Sequence, residues 1–397
     1  MKLNIGVFFG GKSTEHEISC ISANQAIHAL DENKYNVIPI YISKNNEFYT
    51  GEKLFDLSNY WSIVPNPEKE LEKVTIYKDG NKVMVKPVKQ SLFRKDDKSI
   101  DVAFPVVHGT NVEDGSLAGF LEMLDLPYTS CNVLGGAVGQ DKAVMKDIFK
   151  ANGIPMVEHF IINGYDFDKD YDSYLEKAKA IGTPLIAKPA NLGSSVGIST
   201  IRSMNDFKAK IKDCLNYDGK VVVEHMISKL KEVNISVMGS VDNPKVSVIE
   251  EVTNGFLDYE KKYLGGSSSS KKTGPVKAAS KSGSSKGMAS TARKIPADIT
   301  KEQKKQIEEI AVKVFRILNA HGCVRIDFMI DMESNTVYAN EINTIPGSLS
   351  FYLWKEVGID FASECDMLIN NALKRYAQKE KRTYSFDTNI LDGYRRK

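Results

Sequence analysis

Residues 322–347 read GCVRIDFMIDMESNTVYANEINTIPG, and this stretch decides the fold. Apolar and polar residues alternate along Val324-Arg325-Ile326-Asp327-Phe328 and again along Val337-Tyr338-Ala339-Asn340-Glu341-Ile342-Asn343. Two such runs joined by a short polar linker predict a β-hairpin. With the loop centred on Ser334, Asp327 stands opposite Glu341 and Arg325 opposite Asn343. All four leave one face, because strand side chains alternate. Like charges directly opposite destabilise a sheet, so the pairing calls for something positive between the carboxylates. Oxygen ligands without Cys or His suit Mg²⁺, which keeps several waters and shares phosphate oxygens. The plainer alternative is a solvated face on which Arg325 bridges two acids.

Upstream, the chain opens as βαβ: a strand over Lys2–Phe9, a helix from about Ile18 to Leu30 and a strand over Asn36–Ile42, the start of a parallel sheet. GVFFGGKS, Gly6 to Ser13, formally matches a phosphate-loop pattern. That loop needs free backbone between its glycines, whereas Val7-Phe8-Phe9 continue a buried strand, so the match is rejected. The Gly10-Gly11 turn puts Glu15, His16 and Glu17 near the sheet's carboxyl edge, where open α/β sheets bind ligands. Glu15 there holds an ammonium group or acts as a base; alternatively Ser13 or Thr14 caps the helix and the acids only favour its N-terminus. Residues 43–100 show no clear pattern. A strand over Ile100–Val107 ends at His108, a catalytic candidate or a satisfied structural histidine. Helices follow over Leu117–Leu124 and Asp141–Ala151. Lys142 sits in the first turn of the second, where a cation opposes the helix dipole: a functional cation or a solvated one.

Lys188 lies in the strand Pro184–Pro189 among apolar neighbours, a costly place unless it faces an anion. The Gly/Ser-rich turn 190–197 after it can offer N–H groups and hydroxyls to phosphate, or be an ordinary hairpin tip. Glu224, ending the strand that starts at Val221, and Glu232 suit a nucleoside's ribose or amino group, or are surface acids. Residues 261–297 contain no Asp or Glu but many Lys, Ser and Gly. They read as a basic mobile flap over polyphosphate, or as a solvated insertion. A long amphipathic helix over Thr300–Ala320 leads into the hairpin, and another runs from about Asp360 to Lys379.

Bulk composition narrows the classes. The 397 residues carry a net charge of +2, with 42% hydrophobic and 26% charged residues, which is ordinary globular material and does not advertise nucleic acid or a membrane. Five scattered cysteines without C-x-x-C spacing fit a reducing compartment. No run of about twenty apolar residues occurs. A soluble cytoplasmic protein is expected.

Taken in order, GGKSTEHEISCISA, FPVVHGTNVEDGSLAGFLEMLDLPYTS, QDKAVMKDIFKANGIP, PLIAKPANLGSSVGIST, VVVEHMISKLKEVNISVMG, LDYEKKY, VRIDFMID and NEINTIPG resemble the ATP-grasp superfamily, and within it the D-alanine–D-alanine ligase family. The match spans about residues 5–350 and rests on order and co-occurrence. The resemblance implies an α/β (α+β) chain of three subdomains. These are an N-terminal substrate-binding domain over 1–135 with a Rossmann-like parallel sheet, a central subdomain over 136–228 and a C-terminal one over 229–397. ATP would lie between two mixed or antiparallel sheets.

It also implies roles. Lys142 and Lys188 would hold ATP phosphates, Ser195 would lie over phosphate, and Lys262 would reach the γ-phosphate from the flap. Glu224, Ile227 and Glu232 would line the adenosine site. Asp327, Glu341 and Asn343 would bind two Mg²⁺ (or Mn²⁺), with Glu341 bridging. Glu15 and His108 would position the first D-alanine, Ser194 linking Glu15 to Tyr263. Arg325 and the Gly347 N–H would stabilise the oxyanion. The implied product is D-alanyl-D-alanine for peptidoglycan, made by a homodimer. The chain departs from the family at several points. Val112 precedes Glu113-Asp114-Gly115, Gln140 stands where Met is common, and His225 replaces a usual Lys. Where the family has a Ser holding the second substrate's carboxylate, five residues past the Gly, this chain has Tyr352, with Ser350 nearby as a substitute. Rival readings are a D-alanine–D-serine or D-lactate ligase of this fold, a nucleotide-binding protein without turnover, and nucleic-acid binding through the lysine-rich insertion.

Overall fold

A computed structural model of the chain describes residues 2–89, 97–253, 293–384 and 390–394. Three sheets organise them. The first holds β1 (Leu3–Gly10), β2 (Tyr35–Ile42), β3 (Phe48–Thr50), β4 (Glu72–Asp79), β5 (Lys82–Pro87), β6 (Lys98–Ile100) and β7 (Val102–Pro105), in the order β6-β5-β4-β3-β2-β1-β7. Val7, Phe8 and Phe9 of β1 are fully buried, which is why no phosphate loop forms there. The expected parallel pairing holds for β2-β1-β7. The other four strands are antiparallel, so the sheet is mixed. They come from the stretch without a readable pattern. β4 buries only Val74 and Ile76, and β5 only Val83 and Val85, too short a period to stand out.

The second sheet is antiparallel: β8 (His159–Asn163), β9 (Leu185–Pro189), β10 (Ser199–Ile201) and β11 (Lys220–His225), ordered β10-β9-β11-β8. The third holds β12 (Leu230–Ser240), β13 (Asn243–Val252), β14 (Arg293–Lys294), β15 (Gly322–Asp331) and β16 (Thr336–Asn343), ordered β14-β13-β12-β15-β16. The helix Lys301–Ile317 covers its inner face. Thr300 and Gln303 form a capping box at its start, and Ile307, Ala311, Val314 and Phe315 are buried against the sheet.

The hairpin β15–β16 carries the expected pairs, Asp327↔Glu341 and Arg325↔Asn343, but the ladder is not continuous. Nearer the turn, Asp331 faces Thr336 and Phe328 faces Ala339, so Asn340 is the extra residue of a β-bulge. The bulge decides which way the acids point. Val337 and Ala339 face the core, and an unbroken two-residue period would send Glu341 and Asn343 after them. The extra residue turns both onto the face of Arg325 and Asp327. Without it an ionised carboxylate would enter the core, at a cost of several kcal/mol.

Candidate active site

The second and third sheets wall a cleft whose lining includes Lys188, Glu224, Ile227, Glu232, Asp327 and Glu341. Across its floor Glu250, Asn234, Asp327 and Glu341 form one row on β13, β12, β15 and β16. The positive charge called for between the two acids comes from the protein itself. Arg325 donates to Asp327 through Nε (2.6 Å) and Nη2 (2.8 Å), and Asn343 Nδ2 donates to the same carboxylate (3.2 Å). Burial opposes the Arg325 charge, but the Asp327 carboxylate outweighs it and holds the guanidinium pKa well above its ordinary value. Lys142 Nζ lies 3.3 Å from Glu341 and donates to the Leu192 carbonyl (2.8 Å).

Behind this row sits a buried ionic triad. Glu224, 2% exposed, receives Lys146 on one oxygen and Lys188 on the other, both at 2.5 Å. Burial would raise the Glu224 pKa, yet the two lysines overcome it and hold the carboxyl well below its usual range. Lys188 also donates to Asn340 Oδ1 at 3.2 Å, so the bulge residue ties the triad to the hairpin. Two buried cations on one buried anion leave a net positive charge, and such a charge is costly until an anion joins it. Ile227 packs with Val157 and Met329 in a small apolar slot at the cleft wall.

A smaller recess adjoins the cleft, bordered by Glu15, His108, Glu113, Arg325, Asn343 and Gly347. Ser194 donates a short hydrogen bond to Glu15 across the two sheets. A Cβ on Gly193 would lie 2.8 Å from Glu15 Oε2, so the loop passes close enough that a larger residue there would push the carboxylate aside. Ser194 and Ser195 follow with φ of 53° and 62°. His108 is buried, with Nδ1 2.9 Å from the Ile345 carbonyl and Nε2 3.1 Å from Ser22 Oγ. A carbonyl only accepts, so Nδ1 carries the proton and Nε2 accepts from the serine. Burial lowers the His108 pKa and keeps the ring neutral. Ser22 in turn accepts the Ser348 N–H (3.0 Å), joining the histidine to the 347–350 turn. In that turn Ser348, Leu349 and Ser350 have φ of 51°, 53° and 56°. Three side-chain-bearing residues in the left-handed region cost roughly 1–2 kcal/mol each, strain of a kind that gathers at functional sites.

The sequence model described as D-ala D-ala ligase N-terminus matches residues 4–131, and that described as D-ala D-ala ligase C-terminus matches 148–292 and 279–370. A D-alanine–D-alanine ligase of Thermosipho melanesiensis is 39% identical over 392 residues, 98% of each chain. The chain belongs to the D-alanine–D-alanine ligase family. The solved D-alanine–D-alanine ligase of Coxiella burnetii aligns with a TM-score of 0.76 at 28% identity, covering 96% of each chain. The VanG D-Ala:D-Ser ligase of Enterococcus faecalis aligns with a TM-score of 0.74 at 28% identity, over 94% of this chain and 100% of that one.

Against that family's pattern, the fold gathers most of the expected residues. Lys142, Lys188, Ser194, Ser195, Glu224, Ile227, Glu232, Arg325, Asp327 and Glu341 line the cleft; Glu15, His108, Asn343 and Gly347 line the recess. Lys262 and Tyr263 lie outside the described residues. Ser350 is fully buried and borders neither space, and the Tyr352 hydroxyl is directed at Glu250. His16 and Glu17 turn away from the site. His16 anchors the Gly10-Gly11 turn through the Gly11 carbonyl (2.7 Å) and the Tyr41 hydroxyl (3.0 Å), while Glu17 pairs with Lys44 (2.6 Å). The helix His16–Ala29 has Glu15 at its N-cap position with no side-chain cap bond, and Ser13 Oγ accepts the Glu15 N–H (3.1 Å).

Sequence reasoning missed Lys146 and Glu113. Lys146 lies one helical turn past Lys142, a spacing that could have marked it. Glu113 accepts from the Gly109 N–H (2.9 Å), the Thr344 hydroxyl (3.0 Å) and the Ile345 N–H (2.8 Å), clamping the hairpin's end to the first sheet. Burial pushes its carboxyl up, to about 7, opposed by the Gly109 bond and helped by the Glu15 charge.

No group of three or more His, Cys, Asp or Glu side chains suited to a metal occurs among the described residues. Two carboxylates and an amide on one face do fit Mg²⁺, which keeps waters and takes substrate phosphate rather than a full protein cage.

Proposed function

We propose that this chain joins two D-alanine molecules, cleaving ATP to ADP and phosphate, through an acyl phosphate. The observation that carries the reading is the junction of the two spaces. Lys142, Gly193, Arg325 and Glu341 border both the cleft and the recess, so a carboxylate in the recess can meet a phosphate in the cleft.

Glu15, steadied by Ser194, takes the ammonium group of the first D-alanine, and neutral His108 fixes the wall beside it. Its carboxylate attacks the γ-phosphorus of ATP, and ADP leaves. Both reactants are anions. Lys142 and Lys188 offset the repulsion and hold the groups in line. The amine of the second D-alanine then attacks the acyl carbon. Arg325 and the Gly347 N–H stabilise the tetrahedral oxyanion; the C–O bond to phosphate breaks and the nitrogen's proton passes to the departing phosphate. Glu224, Ile227 and Glu232 suit the adenosine end, where the slot around Ile227 is apolar. Asp327, Glu341 and Asn343 would hold two Mg²⁺ or Mn²⁺, which neutralise triphosphate charge when bound. Ser195 would cover phosphate, with Lys262 and Tyr263 contributed from the 261–297 stretch.

The division into 1–135, 136–228 and 229–397, assembly as a homodimer, cytoplasmic action and a product destined for peptidoglycan belong to the same reading. All five cysteines are free, as suits a reducing compartment, and no described helix is long and apolar enough to cross a membrane. Phosphate release with Mg-ATP and D-alanine, alone and with a panel of second substrates, tests the proposal. Release with D-alanine alone is expected. Release only with a mixed pair moves the assignment to a sister ligase, and none with any pair removes it.

A further inference from the structure

The helix Phe351–Lys355 sets Tyr352 against the third sheet. The phenol donates to Glu250 Oε1 at 2.8 Å. Glu250 is 2% exposed, and Arg293 Nη1 lies 3.3 Å from its other oxygen. The Arg293 guanidinium stacks over the Tyr352 ring, 4.5 Å from its centroid. A helix, β13 and β14 thus each supply one member of a closed trio, and Glu250 and Arg293 stand in the cleft wall with Arg325. The Tyr352 hydroxyl lies in the field of both guanidinium groups.

An acceptor amino acid must bring its amine to the acyl carbon beside Arg325, and its own carboxylate is only two bonds further along. Whatever binds that carboxylate must border Arg325. At the position where the family presents a short serine hydroxyl, this chain has a ring that fills the space and turns its hydroxyl to Glu250. A guanidinium lying over an aromatic ring, with one Nη on a buried acid, carries a planar fork of donors matched to a carboxylate.

We propose that Arg293, braced by Glu250 and Tyr352, binds the free carboxylate of the acceptor amino acid, in place of the serine hydroxyl the family uses. This rests on the ligase reading above. Arg293 touches the acceptor; Glu250 and Tyr352 are positioning residues.

D-Alaninamide provides the probe. It has no carboxylate to phosphorylate, so it serves only as acceptor. The full-length enzyme is given Mg-ATP, D-alanine and excess D-alaninamide, and dipeptide and dipeptide amide are quantified by mass spectrometry. The wild type favours the dipeptide. In Arg293→Met that preference shrinks by at least about tenfold, the worth of a lost charged hydrogen bond, while KM for ATP is unchanged. Arg293→Lys keeps part of it. Tyr352→Phe keeps the ring stack, so it folds even where the arginine variant does not, and it also lowers the preference. Glu250→Gln keeps an acceptor that braces Arg293 but removes the charge that neutralises it, so it shifts the preference the other way. A purely structural trio would not give these opposite signs. An active wild type whose Arg293→Met or Tyr352→Phe variant keeps the full preference overturns this proposal alone. A wild type that releases no phosphate with D-alanine overturns the ligase reading and this proposal with it.

Discussion

Replacing Lys146 with methionine separates binding from folding. In the triad, Glu224 meets Lys146 and Lys188 at 2.5 Å each. Unit charges about 4 Å apart interact by about 4 kcal/mol at an effective dielectric of 20. Lys146→Met loses one such attraction. It also removes the Lys146–Lys188 repulsion, somewhat weaker because those charges are further apart, and the several-kcal/mol desolvation of a lysine that is 1% exposed. These terms largely cancel, and the free protein should melt within a few degrees of wild type, a shift of roughly 1 kcal/mol. The nucleotide complex is different. Under the proposed role Lys188 turns to phosphate there, and Glu224 keeps only Lys146. In the variant it is left buried without a counter-cation, a loss of about 3–5 kcal/mol. Affinity for Mg-ADP, measured by titration calorimetry, should fall at least about a hundredfold. Differential scanning fluorimetry without nucleotide gives the stability arm. Unchanged nucleotide affinity would show that Lys146 does not sustain Glu224 in the complex, and a collapse of melting temperature with affinity retained would show that Lys146 serves folding alone.

Glu113 has a folded-state pKa near 7 against an ordinary 4.5, so the folded chain binds more protons than the unfolded chain between those values. Its contribution to stability therefore declines as pH rises through that window, and Glu113→Gln should flatten the dependence of melting temperature on pH there; an unaltered slope would contradict the assignment. Deleting Asn340 removes the bulge and sends Glu341 and Asn343 toward the core. Folding stability should drop by several kcal/mol in denaturant titration, and any folded fraction should release no phosphate; a stable, active deletion would show that the bulge does not set the acids' direction.

The hairpin register was legible because the site pairs lie ten or more residues apart around a short polar loop. The turn sits half a residue from Ser334, and the bulge restores the pairing that a continuous ladder would have missed. The long helix before it was equally legible, through Thr300, Gln303 and a regular apolar face. Other features had no local signature. Glu224 and Lys146 are joined only when helix Lys142–Ala151 packs near β11, and Glu113 meets Thr344 across 231 residues. The trio of Glu250, Arg293 and Tyr352 joins three elements, and only the last of its members stood out, through its departure from the family.

On the proposed reading, Asp327 and Glu341 together grip divalent cations carrying a nucleotide's phosphates. The most direct test is an anomalous difference map from crystals grown with Mn²⁺ and a non-hydrolysable ATP analogue. Density is expected within coordination distance of both carboxylates, with the analogue's phosphates beside Lys142 and Lys188. Manganese bound elsewhere, or Asp327 still closed on Arg325 with nucleotide present, would contradict it.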